Sequence, residues 1–269
     1  MKKAISYLLV FLGIQMLVGG LAPLLLPLVG HAELVTSPYT QIAVMVIFSV
    51  ITLIVFISAK WAVPSRGYLL SRPWMTVFWS VIGALGAVIP SVAFQEVLPD
   101  MPNWMEAEMI QLMNTTGSYF VVCLLVPLVE ELVFRGSVLR ALLVWKPEHR
   151  WGMIALSALL FALAHMNPAQ MIHAFLIGML LGWMYERTHS IVPSVSFHAA
   201  NNTVAFLMTR LYPNPDLHLV DIFGSNQRVV MAVLFSLFIL LPAIYQLNVW
   251  MKNPEFHHRD TRFDCKYSK

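Results

Sequence analysis

Eight apolar stretches make up most of this 269-residue chain. They occupy residues 5–30, 41–59, 74–97, 117–144, 151–166, 170–186, 190–212 and 228–250. A helix that crosses a lipid bilayer needs about 20 predominantly apolar residues. The fifth and sixth stretches are short and are separated only by a turn, so they fit a membrane only inside a bundle. The pattern predicts an all-α fold, a polytopic membrane bundle of about eight transmembrane helices.

The scarcity of charged residues also indicates a lipid environment. Only 12% of the residues are charged, whereas soluble chains average about 25%. The chain therefore cannot cover its surface with water-facing groups. Its formal net charge of +3 is too small to indicate a nucleic-acid partner. The two cysteines, Cys123 in an apolar run and Cys265 near the end, exclude a secreted disulfide scaffold.

The basic residues predict how the bundle is oriented. With the amino terminus in the cytoplasm, every Lys and Arg except Arg135, Arg210 and Arg228 falls in a cytoplasmic loop or terminus. Such an asymmetry is the one that the positive-inside rule describes. We therefore predict a multi-pass membrane protein with both termini in the cytoplasm. The small loops are typical of a bacterial cytoplasmic membrane protein.

Ionisable and amide side chains cluster in the later stretches, where lipid disfavours them. An Asp, Lys or Arg at the centre of a span costs about 2.5–3.5 kcal/mol on insertion scales, so such groups mark candidate sites. At about 1.5 Å of rise per residue, the polar groups of three helices fall in one slab of the bilayer. The residues of this layer are Glu130, Glu131, Arg135, His165, His198 and Asn202.

Helical spacing assigns partners within this layer. Glu131 and Arg135 are four residues apart with the glutamate first, which favours an ion pair. Glu130 lies about 100° further around the helix, so it is left to accept a proton. His198 and Asn202 share a helix face and can donate two hydrogen bonds to one developing negative charge.

These groups together predict attack of water on an amide bond. Glu130, assisted by His165, would bind and deprotonate the water, while His198 and Asn202 would stabilise the tetrahedral oxyanion. The scheme needs no serine, cysteine or threonine nucleophile, so we expect no acyl-enzyme.

Three motifs on separate apolar stretches resemble those of a known protease family. They are Glu-Glu-x-x-x-Arg at 130–135, Phe-x-x-x-His at 161–165 and His-x-x-x-Asn at 198–202. In this order they resemble the CPBP family of CAAX-processing and bacteriocin-processing intramembrane proteases. This family is also called Abi and is related to the Rce1-type prenyl endopeptidases. The resemblance covers about residues 117–210.

The resemblance implies an intramembrane endopeptidase acting on a peptide or protein substrate at the bilayer. It places Glu130, Glu131 and Arg135 in the catalytic motif. It implies that His165 helps to hold the water, and that His198 and Asn202 stabilise the oxyanion. Phe161 then shapes the substrate pocket. On this basis we predict three segments: helices one to three with an acidic outer loop (1–116), the catalytic core of helices four to seven (117–212), and the last helix with a basic cytoplasmic tail (213–269).

A metal-dependent mechanism is an alternative for the same residues. The family has been described both as metalloproteases and as glutamate-dependent proteases. Glu130, His165 and His198 form a possible zinc set with a fourth position for water. The chain lacks a His-Glu-x-x-His helix, and Asn202 is a poor zinc ligand. We therefore favour a mechanism without a cofactor and keep zinc as the alternative.

Two other functions fit parts of the pattern. Buried Glu, His and Arg also mark transporters and proton relays, but those usually show internal repeats and broken helices, which are not evident here. A catalytically silent scaffold or immunity protein is the third possibility. His173 lies at a similar depth but matches no motif, so we interpret it as structural. Gly178 and Gly182 predict close helix packing within the bundle.

Overall fold

The structure, a computed structural model, describes residues 1–62, 65–214 and 217–251. Within these ranges it is helical and contains no strand, which confirms the all-α prediction. The predicted basic tail, from 252 onward, lies outside the described residues. In chain order the helices are α1 (Lys2–Leu28), α2 (Pro38–Ser58), α3 (Arg66–Leu70), α4 (Trp74–Val97), α5 (Glu106–Met113), α6 (Val126–Val133), α7 (Arg140–Trp145), α8 (Arg150–Ala164), α9 (Pro168–Thr188), α10 (Val192–Leu211), α11 (Leu219–Phe223) and α12 (Asn226–Trp250).

In the part of the chain that the structure describes, four helices are long and apolar enough to cross a membrane: α1, α2, α4 and α12. Many of their large apolar side chains are exposed, for example Met16 on α1 and Phe238 on α12. Exposed apolar surface on this scale is what lipid-facing helices present. The other four predicted stretches also form helices at the expected positions. Length and composition do not qualify those four as spans, so the count of eight is not confirmed.

The fourth predicted stretch is one continuous helical rod over residues 120–145, and α6 lies at its centre. Two π-helical segments, Phe120–Leu125 and Phe134–Leu139, flank α6 on either side. Such wider turns break the regular register of backbone hydrogen bonds and occur frequently at functional sites. Side chains of neighbouring helices bond to carbonyls here: Ser157 Oγ donates to Phe134 O at 3.2 Å. The rod is thereby fastened to α8.

The loops contact one another in two groups, one at each end of the bundle. At one end, Ala169 N donates to Pro102 O at 3.3 Å. At the other end, Arg140 Nη2 donates to Trp61 O at 3.1 Å, and Ile191 N donates to Ser65 Oγ at 3.1 Å. Successive long helices therefore run in alternating directions between the two ends.

Glycines allow the closest helix contacts. A Cβ on Gly178 would lie 3.0 Å from Ala158 Cβ, and one on Gly182 would lie 2.8 Å from Ile154 Cγ2. Both contacts join α9 to the antiparallel α8, so the packing predicted for these two glycines is present within the bundle. Because α8 and α9 approach so closely, Phe161 and His165 of α8 are held near α9.

A similar close contact between α4 and α12 predicts that a larger side chain at Gly86 would disrupt their packing. A Cβ on Gly86 would lie 2.7 Å from Leu240 N and 3.0 Å from Leu240 Cα, so backbone must move to accept it. We expect Gly86→Ala to lower the free energy of unfolding by about 1–3 kcal/mol, as overpacking does. Thermal unfolding in detergent micelles measures the effect.

The matched control is Gly13→Ala on α1, where a Cβ would meet nothing within 4 Å. Alanine is favoured over glycine in a helix by about 1 kcal/mol, so this variant is expected to be neutral or slightly stabilised. Equal melting temperatures for the two variants would contradict the close packing of α4 on α12.

Candidate active site

The carboxylate of Glu131 connects two helices at the centre of the bundle. Glu131 on α6 is fully buried, and its Oε1 lies 2.7 Å from Arg135 Nη1 in the predicted ion pair. The same oxygen lies 3.0 Å from Nδ1 of His198 on α10. A carboxylate oxygen accepts hydrogen bonds, so Nδ1 carries the proton in this contact. The ring of His198 is therefore oriented by Glu131, a link that the sequence did not predict.

Glu130 stands in a different environment from its neighbour. Its side chain is 19% exposed, and its Oε2 lies 3.7 Å from His198 Nε2. That distance is too long for a direct hydrogen bond. No other residue within the described ranges bonds to the Glu130 carboxylate. Adjacent glutamates thus have different surroundings: Glu131 is buried and paired, whereas Glu130 is accessible and has free oxygens.

Phe161 on α8 is the packing centre of the site. Its buried ring lies 4.7 Å from the ring of His165 and 5.8 Å from that of His198, measured between centroids. The guanidinium carbon of Arg135 lies 4.4 Å above the ring centre, a cation–π contact. Phe161 therefore fixes both imidazoles and the arginine relative to one another, as a pocket-shaping residue would.

His165 ends α8 and is oriented by its own helix. Its Nδ1 lies 2.9 Å from the Phe161 carbonyl oxygen. A carbonyl only accepts, so Nδ1 donates and Nε2 of the neutral ring is left as an acceptor. An imidazole held in this tautomer is suited to accept a hydrogen bond from a water molecule.

Asn202 lies one helical turn beyond His198, and its side chain bonds to a different part of the bundle. Its Nδ2 donates to Val122 O at 3.1 Å, in the first π-helical segment. Cys123 Sγ contacts the backbone oxygen of Asn202 at 3.5 Å. The second Nδ2 hydrogen of Asn202 has no partner in the part of the chain that the structure describes. Asn202 therefore keeps one N–H for another acceptor.

The structure thus brings together six of the seven residues that the sequence singled out, with Asn202 one turn away. They are Glu130, Glu131, Arg135, Phe161, His165 and His198. Sequence reasoning missed the Gly178 carbonyl, which accepts from Arg135 Nη2 at 3.3 Å. It also missed Ser194, which lies beside the Glu131 carboxylate. The four-residue spacing of Ser194 and His198 would have placed both on one helix face.

The described side chains do not assemble a metal site. No three His, Cys, Asp or Glu residues in ranges 1–62, 65–214 and 217–251 lie where they could hold a metal ion. The alternative zinc set of Glu130, His165 and His198 stays a prediction.

A small hydrogen-bond network lies at the end of the bundle next to His165. Asn167 is fully buried in the turn between α8 and α9. Its Nδ2 donates to Asn103 Oδ1 at 2.8 Å, and its Oδ1 accepts from Trp104 N at 3.4 Å. The loop before α5 is therefore fastened over the turn that joins the two helices.

Comparison with known proteins identifies the central part of the chain. Residues 113–204 match the family model described as type II CAAX prenyl endopeptidase Rce1-like. Residues 113–204 are similar to this family, and we call them the Rce1-like segment. The resemblance predicted from the three motifs is thereby confirmed, and the Rce1-like segment contains all of them. Because this is a protease family, the match supports a peptidase. No curated protein and no solved structure matches the chain.

Proposed function

We propose that this protein is an intramembrane endopeptidase that hydrolyses a peptide bond with water activated by Glu130 and His165. One observation carries the proposal: within the Rce1-like segment, Oε1 of the buried Glu131 is bonded to Arg135 and His198, while Glu130 beside it is accessible and has no direct hydrogen bond. A free carboxylate next to an oriented imidazole suits general-base catalysis.

In the proposed reaction, water lies between Glu130 and Nε2 of His165. Glu130 removes one proton as the water oxygen bonds to the scissile carbonyl carbon. The resulting oxyanion accepts hydrogen bonds from the second N–H of Asn202 and from Nε2 of a doubly protonated His198. Glu130 then returns its proton to the amide nitrogen as the C–N bond breaks. A carboxylic acid and an amine leave, and the acid releases its proton to water.

The membrane setting proposed for this reaction is a bundle of eight spans with both termini in the cytoplasm. The rod at 120–145, α8, α9 and α10 would complete the four apolar helices. Two features support this arrangement: the alternating helix directions described above, and the basic loops at one end. The site would then lie at membrane depth, between helices four, five and seven.

The family description, which names prenyl endopeptidases, supports a first substrate class to test. We propose a peptide substrate held at the bilayer, with a prenylated cysteine near its carboxyl terminus as the first chemical class to test. The probe is a quenched fluorescent peptide with an S-farnesyl cysteine four residues from its end. The same peptide without the farnesyl group and a set of apolar membrane peptides complete the panel.

Cleavage by the purified protein tests the proposal. Wild type in detergent or lipid nanodiscs is expected to cut at least one probe at a single peptide bond. His198→Ala, which removes the imidazole between the two glutamates, is expected not to cut. Mass spectrometry of the products reports both results. Wild type that cuts none of the probes, or a His198→Ala variant that cuts as wild type does, would contradict the proposal.

Two additions to the assay test the chemistry. Hydroxylamine is expected to yield no hydroxamate, because direct attack of water forms no acyl-enzyme to intercept. A chelator such as 1,10-phenanthroline is expected to leave the rate unchanged. Loss of activity on chelation with recovery on added zinc would establish the metal-dependent alternative.

A further inference from the structure

His173 occupies a position in the site that none of the three motifs accounts for. It lies near the start of α9, on the face that also carries Ile177, Leu181 and Met184. Those three residues belong to one buried apolar cluster with Phe197, the residue next to His198 on α10. His173 is thus directed toward the helix that carries the catalytic motif rather than toward lipid.

Helical rise places His173 beside His165. Arg135 bonds to the Gly178 carbonyl and stacks on the ring of Phe161. Gly178 and Phe161 therefore lie at about the same level of the bundle. His173 is five residues before Gly178 on α9, about 7.5 Å from that level. His165 is four residues after Phe161 on the antiparallel α8, about 6 Å in the same direction. His198 and His165 are also close enough to His173 to interact with it electrostatically, which is consistent with this placement.

The ring of His173 has unused hydrogen-bonding capacity. Neither ring nitrogen bonds to another residue of the described ranges, and the side chain is partly exposed. The ring nitrogens are not fully buried, so a ligand in the site can reach them and form hydrogen bonds with them. At His165 and His198, by contrast, Nδ1 is engaged and fixes the ring.

We propose that His173 binds the substrate backbone next to the scissile bond. The inference rests on the endopeptidase function proposed above. An extended peptide at membrane depth must have its backbone N–H and C=O groups satisfied by protein, because hydrocarbon offers no partners. A neutral imidazole presents one donor and one acceptor, which complement those two groups without burying a charge. His173 is then a contact for the substrate, whereas Glu130 and His165 act on the water.

Steady-state kinetics with the farnesylated probe and the apolar peptides test this role. His173→Phe keeps an aromatic ring but cannot form hydrogen bonds. We expect it to raise KM about tenfold, the effect of one lost hydrogen bond, with kcat within about threefold of wild type. His173→Asn and His173→Gln, which retain a donor and an acceptor, are expected to recover part of the loss. His149→Phe, at an exposed histidine outside the site, is the matched control.

Each outcome has a distinct meaning. A normal KM for His173→Phe would overturn the inference while leaving the proposed function intact. A fall in kcat alone would also overturn it, since the ring would then act on the chemistry. Equal losses in all three variants, together with a lowered melting temperature, would assign His173 a structural role. Wild type that cleaves no probe would overturn the proposed function, and this inference with it.

Discussion

The Glu130→Gln variant is expected to keep its fold while its rate of peptide cleavage falls about 1,000-fold, which is the scale of the contribution of general-base catalysis. Glutamine has the shape of glutamate but cannot take a proton from water. The substitution breaks no direct hydrogen bond, because the closest ring nitrogen, Nε2 of His198, lies 3.7 Å from the Glu130 carboxylate. Initial rates and melting temperatures, measured on the same preparations, separate the two effects.

A second glutamate serves as the control for this experiment. Glu148 is exposed in the short turn before α8, so Glu148→Gln is expected to match wild type in rate and stability. A Glu130→Gln variant that still cleaves within tenfold of wild type would exclude Glu130 as the base. A variant that loses activity only because it unfolds would show instead that Glu130 is structural.

The second large effect is expected at the buried ion pair. Arg135→Met removes the guanidinium that pairs with the buried Glu131 carboxylate, and removing one partner of a buried pair costs about 3–5 kcal/mol. The variant also loses the bond to the Gly178 carbonyl and the contact with the Phe161 ring. Thermal unfolding in detergent should show a large decrease in the melting temperature.

A double variant separates stability from function at the same pair. In Arg135→Met with Glu131→Leu the charge itself is gone, and such apolar replacements are often neutral or stabilising. We expect most of the lost stability to return. Activity should stay absent, because Nδ1 of His198 has lost its acceptor. A double variant as unstable as Arg135→Met would mean that the arginine acts mainly through its other contacts.

Hydropathy and helical spacing predicted the parts of this molecule that depend on local sequence. The apolar stretch at 74–97 forms a helix with those bounds. The four-residue spacing of Glu131 and Arg135 was sufficient to predict their ion pair, because one helix fixes both side chains. The order of the three motifs was sufficient to predict the family match at 113–204.

Features that depend on how helices rotate against each other were not predictable in this way. The bond from His198 to Glu131 joins α10 to α6, and no periodicity specifies which faces meet. Nor does any pattern in residues 120–125 indicate π-helical turns, so the bond from Asn202 to Val122 was not foreseen. The number of membrane spans was hard to predict for a similar reason. Helix α8 has only 15 residues, so whether it spans a membrane depends on the helices packed around it.

The shared oxygen of Glu131 has a consequence for biosynthesis. It joins residues 67 positions apart in the chain, so His198 acquires its orientation only after α10 has been made and has docked. A nascent chain that ends after α8 already carries both glutamates and His165, yet lacks the oriented ring. If the proposed mechanism holds, hydrolytic capacity arises late, on completion of the bundle, and partly synthesised copies stay inert toward the other proteins of the membrane.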